Sequence, residues 1–171
     1  MHRGPGRGAR SGGRQSRGRR KGRAVPIDEA VDRIAAARAA APKGTFLLNA
    51  RTDTYFAGTP GDVFGETVER AFRYVEAGAD CVFVPEVVEA DTIRRFAAAI
   101  PGPLNVVAGL ANTIDAPALF SLGVKRVSLG GSLARASLSM LERAGRELLD
   151  KGTLGFLDGA IAYADLLRRF G

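Results

Sequence analysis

Residues 45 to 56 read TFLLNARTDTYF. The stretch opens like a buried strand, with Phe46, Leu47 and Leu48 consecutive, and then changes character. Asn49, Arg51, Thr52 and Asp53 follow at once. An apolar strand that runs out into an amide, a guanidinium, a hydroxyl and a carboxylate collects polar groups at its carboxyl end. What those groups can do depends on where that end lies in the fold.

Working outward from this stretch, strands and helices alternate. Pro26 opens a helical run, IDEAVDRIAAARAAA, with Ile27, Val31, Ile34 and Ala35 on one face; Pro42 and Gly44 end it. After the strand TFLLNA comes a polar loop through Gly58, Pro60 and Gly61, and Asp62 is placed to cap the next helix. That helix is predicted to turn Val68, Phe72 and Val75 inward and to stop at Gly78. The strand DCVFV follows, then a helix over Glu89 to Ala99 with Ile93, Phe96, Ala97 and Ile100 at helical spacing. PLNVVA is the third strand. Thr113 or Asp115 starts a short helix carrying Leu119 and Phe120, which Gly123 ends. VKRVSL is the fourth strand. A long helix over Ser132 to Asp150 breaks near Gly152, and a last helix is predicted over Leu154 to Arg169.

Apolar strands separated by helices imply parallel pairing through right-handed crossovers. Two architectures fit: part of a (β/α)8 barrel, or a small doubly wound parallel sheet. Both gather function at the carboxyl ends of their strands. Those ends here are Asn49, Arg51 and Asp53; Pro85 and Glu86; Ala108 and Gly109; and Gly130, Gly131 and Ser132. Arg51 is the best anion binder among them, because its planar fork can grip a carboxylate or phosphoryl group with two parallel hydrogen bonds. The equally available alternative is a buried structural pair of Arg51 with Asp53 or Glu86.

The charge is divided unevenly. The 171 residues carry a formal charge of +7, but residues 1 to 23 hold eight Arg and one Lys, and the first acidic residue is Asp28. The rest of the chain is left with 16 basic and 18 acidic residues, which is nearly neutral. Residues 1–24 therefore read as a disordered basic tail, able to hold a polyanion such as nucleic acid weakly by charge but lacking aromatic residues to stack on bases. Residues 25–171 read as the folded domain. Its single cysteine, Cys81, excludes an intrachain disulfide and reads as a small buried hydrophobe. The only histidine, His2, lies in the tail, so His-based triads and His-ligated zinc are excluded from the domain. No apolar run approaches the ~18 residues of a membrane span, and the default location is cytoplasmic.

NARTD after an apolar strand resembles the isocitrate lyase/phosphoenolpyruvate mutase superfamily, and so does GADCVFVPE after a helix ending YVEA. GVKRVSLGGSLARA is similar to that superfamily's last barrel strand and the turn into its helix; VPIDEAVDRIAAARAA and the KGT of DKGTLGFLD match flanking regions. PLNVVAGL and GGSLARA are most like the carboxyvinyl-carboxyphosphonate phosphorylmutase-like branch. The resemblance runs over about residues 25 to 170 and implies the C-terminal half of a (β/α)8 barrel, strands five to eight. It further implies Mg2+ as cofactor and C–C or P–C bond chemistry on a small α-keto or hydroxy acid through an enolate-like intermediate. Arg51 and Glu86 become the catalytic candidates: Arg51 holds the substrate's carboxylate or phosphonyl group, and Glu86 stands near the metal and its waters. Asn49, Arg51, Asp53, Gly130 and Ser132 become substrate-binding candidates.

The departures from that pattern are as specific. The resemblance places the Asp pair that ligates Mg2+, the loop gripping the keto-acid end and the flexible catalytic loop in a first half whose motifs this sequence lacks. Asn105 sits too early in its strand to match an asparagine sometimes used by the lyases. Three readings follow: a truncated lyase- or phosphomutase-like family member, a non-catalytic carboxylate-binding remnant, and a nucleic-acid binder acting through the tail. A half barrel would leave two strand edges open, and the resemblance implies C-terminal helices that pack on a neighbouring subunit, so a homo-oligomer is expected.

Overall fold

The computed structural model describes residues 24–57, 61–109 and 113–170. The basic tail proposed for residues 1–24 lies outside them, apart from Ala24. The described elements, in chain order, are α1 (Ile27–Ala40), β1 (Asn49–Arg51), α2 (Thr54–Ala57), α3 (Val63–Glu76), β2 (Cys81–Phe83), α4 (Ala90–Ala99), β3 (Leu104–Val107), α5 (Ala116–Ser121), β4 (Arg126–Ser128), α6 (Ser132–Lys151) and α7 (Tyr163–Phe170).

Local chemistry sets most of these boundaries. Asp62 caps α3 by accepting a hydrogen bond from the Gly65 amide at 2.9 Å. Asp115, of the two candidate starts for α5, accepts from the Ala118 amide at 2.8 Å. Gly78 follows α3 at φ +106, and a Cβ there would come within 2.7 Å of the Arg38 stem, so only glycine fits both the turn and the close approach.

The four strands form one parallel sheet in the order β1-β2-β3-β4, with Asn49 opposite Cys81, Val82 opposite Leu104 and Asn105 opposite Arg126. Because side chains alternate along a strand, the register sorts the sheet into two faces. Ala50, Val82, Leu104 and Val106 form one, and they are buried under the helices with Ala71, Ile93, Phe96 and Leu119. Phe96 is wedged between Phe64, stacked at 4.5 Å, and Tyr55, edge-on at 5.7 Å. α1 packs on the same side, where Ala30, Val31 and Ile34 meet Ala50, Tyr74 and Ala79. The other face carries Asn49, Arg51, Cys81, Phe83, Asn105, Val107, Arg126 and Ser128.

Sequential strand order with one helix-covered face is an arc of a (β/α)8 barrel. A doubly wound sheet reverses its strand order at a switch point and carries helices on both faces. That alternative is therefore excluded. Cys81 is buried, and burial pushes its thiol pKa up, so it stays a protonated hydrophobe.

Several sequence expectations need correction. TFLLNA is not a buried strand along its length: pairing starts at Asn49, and Phe46 and Leu47 are 63% and 59% exposed. These two precede the paired part of the strand, where Arg38 of α1 reaches the Phe46 carbonyl but leaves the Phe46 and Leu47 side chains exposed. Phe72 and Ala35 face outward rather than inward. In α3 the fully buried residues are Thr67, Arg70, Ala71 and Tyr74, with Val68 and Val75 partly buried against the core; Arg70 is held inside by the Val25 carbonyl and Glu66. The helix expected over Leu154 to Arg169 is instead a 3-10 turn at Gly155–Leu157 followed by α7, separated at Gly159, where φ is +75.

Among the described residues no strand pairs with the outer edge of β1 or of β4. α6 buries only Ala144 and leaves Leu133, Leu138 and Leu141 exposed. Open edges and apolar helix faces recruit other chains. Light scattering at micromolar concentration is accordingly expected to give a mass above the 18.0 kDa of one chain. A sharp monomer with cooperative unfolding would show that these edges are tolerated in water.

Candidate functional site

The uncovered face of the sheet ends, at the carboxyl ends of the strands, in a groove of about 930 Å3. Arg51 enters it from β1, Phe83 and Glu86 from β2 and the turn after it, Arg126 and Ser128 from β4, and Arg135 from α6. Arg51 donates from Nε to Asp53 Oδ1 at 2.6 Å, and its guanidinium carbon lies 5.3 Å from the Phe56 ring and 5.7 Å from the Phe83 ring. The two partners of the ion pair are 46% and 42% exposed, so the buried structural pair is not what forms. A half-exposed pair contributes little stability, about 0–1 kcal/mol. Its effect is to hold the guanidinium near the Phe56 and Phe83 rings, where Arg51 lines both the groove and a smaller cavity beside β1.

Glu86 lines the groove but is not paired with Arg51. It has φ +65, the one described non-glycine residue with positive φ. A left-handed L-residue costs roughly 1–2 kcal/mol. Glu86→Gly is therefore expected to be neutral to stabilising, by up to about 1 kcal/mol, with Glu86→Gln leaving the thermal transition in place. A melting temperature that falls in the glycine variant would show that the Glu86 side chain holds the turn.

The sequence candidates do not all converge. Arg51, Glu86 and Gly130 line the groove. Asp53 acts on it through Arg51 and also borders a smaller cavity of about 250 Å3 between β1 and α1. Asn49 lies deeper in β1, with a buried side-chain oxygen that has no hydrogen-bond partner among the described residues. Ser132 turns away: its Oγ lies where a Cβ on Gly109 would come within 2.2 Å, and Gly131 takes the groove position instead. Asn105 is fully buried and does not line the groove; both ends of its amide lie near Ser128 Oγ, at 3.0 and 3.1 Å. Sequence reasoning missed Arg126 and Ser128. VKRVSL reads as an apolar run, but its strict alternation at Arg126-Val127-Ser128 puts both polar residues on the face of Arg51.

A Mg2+ centre does not fit these residues. No group of three or more His, Cys, Asp or Glu among the described residues is placed to hold a metal ion, and the remaining residues contain no Asp, Glu or Cys. In the groove itself the carboxylate is Glu86, while Asp53 is engaged by Arg51.

An arc of parallel strands with helices on one face and an arginine-lined groove at its carboxyl ends defines a protein of the (β/α)8-barrel class. The sequence family described as phosphoenolpyruvate phosphomutase matches residues 13–149, beginning inside the basic segment. The chain belongs to this family, within the isocitrate lyase/phosphoenolpyruvate mutase superfamily. It is 37% identical to an uncharacterized Mycobacterium tuberculosis protein over 123 residues, 72% of this chain and 45% of the relative. It is 37% identical to the 2-methylisocitrate lyase of Aeropyrum pernix over 110 residues, 63% of this chain and 34% of the lyase. A solved structure of a Burkholderia cenocepacia protein described as a lyase/mutase superposes with a TM-score of 0.76 at 39% identity, over 85% of this chain and 53% of that one. The chain thus spans about half the length, or less, of the relatives it matches.

Proposed function

We propose that this chain supplies the anion-gripping half of a lyase- or phosphomutase-like site, and that Arg51 binds the carboxylate of a small α-keto or hydroxy acid in the groove. The observation that carries this reading is the Arg51 guanidinium, oriented by Asp53 and flanked by Phe56 and Phe83, at the carboxyl end of β1. Fixing the fork in advance lowers the entropy lost when a ligand is gripped. Aromatic walls also lower the local dielectric, which strengthens a charge-assisted hydrogen bond.

Bond-making chemistry of the kind implied by the family needs Mg2+, and the donor set of this chain does not provide for it. The metal-ligating carboxylates would come from another polypeptide segment. Taken alone, the chain is a binder, and this favours the non-catalytic reading over turnover by the isolated chain. Calorimetric titration with pyruvate and with oxalate, each with and without Mg2+, tests the proposal. Binding that does not require Mg2+ is expected. Absence of binding to either acid would overturn the Arg51 site. Mg2+-dependent cleavage of 2-methylisocitrate by this chain alone would overturn the assignment of the metal ligands elsewhere.

A further inference from the structure

The groove contains a second guanidinium that the Arg51 reading does not use. Arg126 stands on β4, at the opposite side of the sheet from Arg51 on β1, and both line the same groove. Its Nη1 donates to Ser128 Oγ at 2.9 Å. That same hydroxyl is held from below by the Asn105 amide, which is 0% exposed. A buried amide in a strand costs free energy unless it is hydrogen-bonded. Here both ends of the amide lie within hydrogen-bond distance of one hydroxyl, and that hydroxyl accepts from one arginine.

The charge pattern gives this arrangement a direction. Arg38, Arg51, Arg70 and Arg73 each have a carboxylate partner. Among the described residues Arg126 has none, and neither does Arg135 beside it in the groove. With Arg51 already paired to Asp53, Glu86 is the one carboxylate among the described groove residues against the two guanidiniums of Arg126 and Arg135. An anion would relieve that excess, and Arg126 lines the same groove as Arg51 from the other edge of the sheet.

Resting on the Arg51 reading, we propose that Arg126 is the specificity-determining residue that grips a second anionic group on the ligand. Ser128 and Asn105 act as positioning residues for it. The groove then selects a hydroxy or keto acid with two carboxylates over the matching monocarboxylate.

The matched pair malate and lactate tests this, since they differ by one carboxylate at a common hydroxy-acid end. Isothermal titration of the full chain is expected to show malate binding at least tenfold tighter than lactate. Arg126→Gln should erase that preference by weakening malate and leaving lactate unchanged. Ser128→Ala should reduce the preference three- to tenfold, and Ser128→Thr, which restores the hydroxyl, should recover it. Because Ser128 is only partly buried, these variants remain informative where a change at Asn105 would prevent folding. A malate preference that survives Arg126→Gln, with lactate still binding, would overturn this inference and leave the Arg51 site standing. Equal affinity of the unaltered chain for the two acids would overturn it as well. Failure of both acids to bind would overturn the Arg51 reading together with it.

Discussion

Arg51→Lys is expected to weaken binding of pyruvate or oxalate by roughly 10- to 100-fold while leaving the thermal transition where it was. Lysine keeps the charge but offers a single mobile ammonium in place of a planar fork. It also loses the guanidinium face that now lies near the rings of Phe56 and Phe83. Stability should be insensitive because the pair with Asp53 is half exposed and pairs of that kind contribute at most about 1 kcal/mol. Calorimetry and a melting curve on the same preparation separate the two effects. Affinity that does not change would reduce Arg51 to a surface ion pair. A large fall in melting temperature would make it a structural one.

The largest effect on stability is expected from Arg38→Ala. Arg38 donates to the carbonyls of Gly78, Ala41 and Phe46 and is paired with Asp80. Asp80 in turn accepts from the Leu48 amide at 2.8 Å, so one cluster ties the end of α1, the entry to β1 and the turn before β2 together. Truncating the arginine leaves several partly buried acceptors without a donor, which should lower the melting temperature by on the order of 10 °C. A shift within about 2 °C would show that water replaces the guanidinium without cost.

The same cluster predicts a pH dependence. The hydrogen bond from the Leu48 amide, and then the bond and charge of Arg38, hold the Asp80 carboxyl below its ordinary range against the opposing effect of desolvation. A carboxylate with a depressed folded-state pKa stabilises the fold above the unfolded-state pKa, and that contribution is lost as pH falls through the folded value. Acid melting curves of the unaltered chain and of Asp80→Asn should therefore converge as pH drops through the carboxylate range.

How far the sequence revealed this arrangement varied with the kind of signal. Helix boundaries were legible wherever a residue acts locally: Asp62 and Asp115 cap from their own side chains, and Gly78 and Gly152 take up positive φ. The four strands were legible because parallel strands covered by helices leave apolar clusters. Their extent was not: Phe46 and Leu47 have the composition of a core strand, yet only tertiary placement decides whether apolar residues next to a strand are covered. Arg51 stood out because it interrupts apolar sequence. Arg126 did not, because a cation between Lys125 and Val127 looks like an ordinary solvated position until the register sets it on the face of Arg51. Ser132 is placed apart from its neighbours, since Gly130 and Gly131 line the groove while its hydroxyl lies against Gly109.

The order β1-β2-β3-β4 has a consequence for how the chain acquires its shape. Each strand pairs with the one made immediately before it, as Cys81 does with Asn49, Leu104 with Val82 and Arg126 with Asn105. No described pairing has to wait for a distant segment, so loop-closure entropy is met in small successive steps rather than in one large one. As the chain leaves the ribosome, every completed strand and helix can dock on a template already in place. The sheet can thus grow from its amino-terminal side one unit at a time, and the groove is completed last, when β4 and the first turn of α6 bring Arg126 and Arg135 opposite an Arg51 that is already set.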